Sequence, residues 1–136
     1  RHFRRRRMSV THTTAVRNAI ADSIIWDTLD SGTLNFHITG STTDSPSAIA
    51  ATLTLNAAAA PAASAGVATA GAITSDTSAA GNAGAVAFAT LKTSAGTVKV
   101  HCAVAASGSD INLTGGLVIN AGDTVSCSSL TYTACP

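Results

Sequence analysis

Three cysteines, four histidines and seven aspartates are the side chains here that could do acid–base, nucleophilic or metal chemistry; Glu and Gln are absent. Cys102, Cys127 and Cys135 form no CxxC and share no His/Cys ligand spacing. Two readings of them stand. Either they are buried free thiols, or Cys102 and Cys127 form a disulfide between neighbouring strands, leaving Cys135 near the terminus for an intermolecular bond. The histidines are His2, His12, His37 and His101. His101 adjoins Cys102, but neighbours on a strand point to opposite faces, so they cannot share a metal without a bulge. His37 and His101 read as exposed strand residues. The aspartates fall mostly in expected turns or on the exposed helix face, where Asp serves local structure. No nucleophile elbow, zinc-binding HExxH, Walker A loop or dinucleotide glycine motif occurs. Asn112-Leu113-Thr114 fits the N-glycosylation triplet, a pattern short enough to arise by chance. The expectation is no catalytic residue, no cofactor, no metal and no enzyme.

Charge is confined to one end. Arg1, Arg4, Arg5, Arg6 and Arg7, with His2 and Phe3 among them, precede Met8 and hold most of the eight basic residues. Arg17, Lys92 and Lys99 against seven aspartates leave residues 8–136 at three minus seven, or −4. The arm is either an extension ahead of Met8 or a contact element for phosphate or an acidic protein surface. Nucleic-acid binding is the lesser reading, because the acidic remainder offers no broad basic footprint. One Phe is too little for a base-stacking platform.

The elements that would position these groups are mostly strands. Residues 13–29 form the one expected helix, capped by Thr11, Thr13 or Thr14. Val16, Ile20 and Ile24 make its apolar stripe, to be packed on a sheet, with Arg17, Asn18, Asp22 and Thr28 on the polar side. Ile25 and Leu29 widen the apolar surface, so cover on more than one side, including an oligomer contact, is also read. Gly32 is placed to end the helix in a left-handed conformation. Leu34, Phe36 and Ile38 alternate with Asn35 and His37 in a half-exposed strand. Further strands are expected at 49–55 and 71–76, with an alanine-rich linker, loop or short helix at 57–70. From Gly84 the pattern is a meander or a piece of a sandwich. Val86 and Phe88 lead through a Ser94-Ala95-Gly96 turn to Val98, Val100, Cys102 and Val104. Pairs of apolar residues at 111–113, 117–119, 125–127 and 130–132 continue it.

The fold class expected is mainly β, a β-sandwich or small barrel of about six to eight strands, with one N-terminal α-helix and an extended basic N-terminal arm. Residues 1–10 are the arm and 11–136 a single domain. Hydrophobic residues make up 46% of the chain but aromatics only 4%, so the expected core is of small and β-branched side chains helped by Trp26, three Phe and one Tyr. A surface with 11% charged residues suits a protein partly covered by neighbours. No run approaches the ~20 apolar residues of a membrane span. The arm is followed by Ser9–Thr14, and no signal peptide is expected.

The succession TTAVRNAIADSI, GTLNF, ATLTLN, GVATAGAITSDTSAAG, ATLKTSAGTVKVHCAV and INAGDTVSCSSLTYTACP resembles small virion proteins of tailed bacteriophages, the head-decoration or cement-like proteins. The resemblance spans nearly the whole chain from Met8 and carries no catalytic signature. It implies a virion structural protein on the capsid surface, bound to the major capsid protein as a homo-oligomer, a trimer being favoured. A tail or fibre component that binds a host is the alternative, and nucleic-acid contact through Arg1–Arg7 the second.

Overall fold

The computed structural model describes residues 10–38, 46, 48–81 and 84–136. Arg1, Phe3 and Arg4–Arg7 lie outside the described residues. Thr13 caps the helix, its Oγ1 accepting the Val16 N–H at 3.3 Å. Helix α1 (Thr14–Ala19) runs on as a π-helical stretch (Ile20–Trp26) and a 3-10 turn (Asp27–Leu29). The strands are β1 (Thr33–His37), β2 (Ile49–Thr54), β3 (Val67–Thr69), β4 (Phe88–Lys92), β5 (Val98–Ala105), β6 (Ile111–Asn112) and β7 (Thr131–Thr133). The protein is mainly β with one helical segment, as its residue pattern predicts.

Five strands form one sheet in the order β2-β1-β4-β5-β6, and β3 pairs with β7 in a second. The β4–β5 hairpin closes at the expected turn, where Gly96 has φ 89 and donates to the Thr93 carbonyl. Strand β5 alternates inward Val98, Val100, Cys102 and Val104 with outward Lys99, His101 and Ala103. The simple meander does not hold beyond it. β6 runs parallel to β5, the pairs at 117–119 and 125–127 touch distant segments through single bridges, Ala85–Val118 and Asp76–Val125, and 130–132 enters β7 on the second sheet. Likewise 71–76 forms no strand. It lies along β2 through one Thr54–Thr74 bridge, and Asp76 Oδ2 accepts the Thr52 N–H at 2.9 Å. Gly81 donates to the Ala50 carbonyl, so the outer edge of β2 is occupied along its length. An edge closed in this way cannot template pairing with another chain.

Strand β1 is central, between β2 and β4, and its alternation is lost. Asn35 is 3% exposed and His37 fully buried, contrary to the half-exposed expectation. His37 Nε2 lies 2.8 Å from Thr90 Oγ1, and its ring stacks on Phe88, which stacks in turn on His101. A strand flanked on both sides can bury a polar residue where a cross-strand neighbour supplies a partner, as Thr90 does for His37, whereas Asn35 Nδ2 donates to Thr33 Oγ1 on its own strand at 3.2 Å. On the other face Leu34, Leu53, Ala51, Ala89 and Leu91 meet Trp26 and Leu29 in the core.

The helix ends differently from the glycine expectation. Ser31 takes the left-handed conformation, with φ 55, and Gly32 N–H donates to the Leu29 carbonyl at 2.8 Å. Gly32 is required by crowding, since a Cβ there would collide with the Lys92 carbonyl oxygen.

Candidate interaction surface

The helix buries Ala21, Trp26 and Leu29 in place of the expected Val16–Ile20–Ile24 stripe, and half-buries Asn18 and Asp22 beside them. Asn18 Oδ1 accepts the Gly66 N–H at 2.7 Å, and Asp22 Oδ1 accepts the Ala63 N–H at 2.7 Å. Just past the helix, Asp30 Oδ1 accepts the Ala59 N–H at 2.8 Å. These three side chains bind the alanine-rich segment 57–70 along the helix, and its small residues let backbone reach the Asn18 amide oxygen and the two carboxylates. Arg17 points the same way, its Nη2 lying 3.5 Å from the Ala134 carbonyl and its side chain filling the space above Gly66. Burial of backbone N–H groups demands acceptors, and the polar side of the helix supplies them. Ala21, Trp26 and Leu29 face the core beside it.

The stripe expected on the sheet is therefore outside. Ile24 is 59% exposed and Val16 43%, with Ile20 half-buried between them. Ala19, Ser23 and Asp27 complete this outward face, and Asp27 is its one charge. Val10, just ahead of the helix, is 81% exposed. Lone exposed apolar residues are ordinary, whereas several on one helix face mark a contact surface. Asn18, Asp22 and Asp30 were legible in the sequence only as polar residues. Their partners lie about 29 to 48 positions away, beyond the reach of any periodicity.

A second feature is a groove of about 440 Å³ between residues 110–114 and 126–131, with Phe36 and Leu130 among its apolar lining. Its walls carry Asp110, Asn112, Thr114, Ser126 and Thr131. Two of these already hold local backbone: Asp110 Oδ2 accepts from Ala103 N–H and Asn112 Oδ1 from Ser109 N–H, each at 3.0 Å. Cys127 lines the groove, Cys102 packs against the core, and Cys135 is exposed. The structure holds all three as free thiols. Burial, with the Asp110 carboxylate adding to it, pushes the Cys102 thiol up to about 11, and burial also raises Cys127. A thiol shifted upward is a poor nucleophile at neutral pH.

No family model, curated protein or solved structure matches this chain. Among the described residues no three of His, Cys, Asp and Glu come together to hold a metal ion. No described helix is long and apolar enough to cross a membrane. The sequence-expected residues are not brought to one place: Cys102, Cys127 and Cys135 sit on β5, in the groove wall and beside the C-terminal residue. The outward helix stripe is the surface the geometry offers.

Proposed function

We propose that this protein is a non-enzymatic virion structural protein that decorates and cements a phage capsid by packing against the major capsid protein lattice. One observation carries the reading: Asn18 and Asp22 hold segment 57–70 against the helix, and apolar Val16 and Ile24 are left exposed with Ile20 half-buried between them. That arrangement suits a subunit whose outer faces are covered on assembly, because apolar area removed from water contributes about 25 cal/mol per Å². The resemblance to head-decoration proteins supplies the context. The test is location and load. Purified virions should contain many copies of the chain on the outer capsid surface, and particles stripped of it should open at a lower temperature. Absence from the virion, or an unchanged opening temperature, would refute the cement role.

A tail or fibre component is the second reading. It draws on the groove between residues 110–114 and 126–131, whose hydroxyl, amide and carboxylate side chains suit a polyhydroxyl ligand. Binding of purified protein to a glycan array, abolished by Asn112→Ala, would favour it over the capsid surface.

A further inference from the structure

We infer that the basic arm, residues 1–9, lies as an added strand in the groove between β6 and β7. This goes beyond the capsid contact, which uses the helix stripe. Two open strand edges border the groove. Leu113 N–H donates to the Ala105 carbonyl at 2.9 Å, so the backbone groups of Leu113 face β5. Ala70 N–H donates to the Leu130 carbonyl and Ala134 N–H to the Gly66 carbonyl, so Leu130 and Ala134 face β3. Successive residues of a strand aim their backbone groups to opposite sides. Those of Asn112 and Thr131 are thereby left on the outer edges of β6 and β7. Both residues line the groove, and Phe36, Ile111, Leu113 and Leu130 are its apolar lining. A chain laid between the two edges gains main-chain hydrogen bonds from both.

Reach and charge select the arm. Pro136 follows β7, and its carbonyl oxygen lies 2.8 Å from His12 Nδ1. Val10, two residues ahead of His12, therefore stands near the C-terminal end of β7, and Thr131 is five residues back from Pro136. Nine extended residues span roughly 30 Å and five about 17 Å. The arm can thus run back along β7 to the groove, parallel to that strand. The groove is acidic. Asp110 lines it, and Asp123 lines an adjoining groove of about 340 Å³ that shares Asn112, Leu113, Thr114 and Ser126. Each carboxylate is exposed and gives Oδ2 to backbone, to Ala103 N–H and Asn120 N–H respectively, which leaves Oδ1 for a guanidinium. The lining residues include no Lys or Arg, whereas the arm holds five arginines. Exposed ion pairs are individually weak, but tethering holds the arm at high effective concentration.

Amide hydrogen exchange of the full chain, read by NMR, tests it. At low salt the Asn112 and Thr131 N–H groups should exchange about tenfold or more slowly than unpaired amides. Arg4→Ser, Arg5→Ser, Arg6→Ser and Arg7→Ser together should remove that protection, as should salt at ~1 M, where charges are screened within about 3 Å. Leu113 N–H, bonded to Ala105, should keep its rate throughout, which shows that the variant is folded. Asp110→Asn keeps an acceptor for Ala103 N–H and should lower the protection in part. Unprotected Asn112 and Thr131 in the parent, or protection that survives loss of the four arginines, would overturn the seat. Protection that grows with protein concentration would put the arm on a second copy and overturn it as an intramolecular one. The assay contains no capsid, so its failure leaves the decoration reading standing.

Discussion

Replacing Asp22 with Ala should cost more stability than replacing Ile24 with Ser, the reverse of what an amphipathic helix packed by its apolar stripe would show. Asp22 Oδ1 accepts the part-buried Ala63 N–H at 2.7 Å. A hydrogen bond to a charged group contributes about 1.5–3 kcal/mol net. Alanine's better helix propensity returns up to roughly 0.7 kcal/mol, leaving an expected loss of about 1–2 kcal/mol. Asp22→Asn keeps an acceptor oxygen without the charge and should fall between parent and Asp22→Ala. Ile24 is 59% exposed, and surface changes of that kind stay within about 0.5 kcal/mol. Urea unfolding at low protein concentration, where association is absent, reads both. The midpoint should drop for Asp22→Ala with an unchanged slope, and the thermal midpoint should fall by roughly 3–8 °C. If Ile24→Ser proves the costlier change, the helix faces the other way, and the contact surface built on it goes too.

Alkylation should follow exposure and thiol pKa, with Cys135 first and Cys102 last. With its pKa near 11, Cys102 is only about one part in a thousand thiolate at pH 8, so rapid labelling of Cys102 there would contradict its burial. Folding raises this thiol from 9.0 to about 11, so the folded state holds the proton more tightly. Its contribution is present below about pH 9 and lost as pH rises through about 11. Urea midpoints measured across that window should fall for the parent and fall less for Cys102→Ala. Gly32→Ala should destabilise by about 1–3 kcal/mol, because its Cβ meets the Lys92 carbonyl in rigid backbone; an unaltered urea midpoint would count against that packing. Asp76→Ala should free the Thr52 N–H on the outer edge of β2 and increase aggregation, followed by light scattering, while Asp76→Asn should aggregate less.

Local pattern carried much of the fold. The alternation from Val98 to Val104 placed β5 and its inward Cys102, Ser94-Ala95-Gly96 placed the hairpin turn, and Thr13 was among the expected caps. Period and turn chemistry are set by nearest neighbours, so they are readable without the tertiary structure. The expected 71–76 strand and the pairs at 117–119 and 125–127 fail to form strands for one reason. Short apolar pairs between glycines resemble strands, yet whether they pair along a ladder or at one bridge depends on which distant segment lies alongside.

The helix shows the limit most clearly. Its existence, length and apolar stripe were written in residues 13–29, but not which side would face in. That was decided by segment 57–70, whose alanines and Gly66 bring backbone N–H groups close enough for Asn18, Asp22 and Asp30 to accept them. The same held for His37, read as exposed by alternation and buried because β1 lies between two strands and Thr90 supplies a partner. The sequence by itself determined the class of structure, the period of each element and the scarcity of charge. Only tertiary structure decided which faces met water, because the hydrogen-bond acceptors and their buried donors lie far apart in the chain and meet only when it folds.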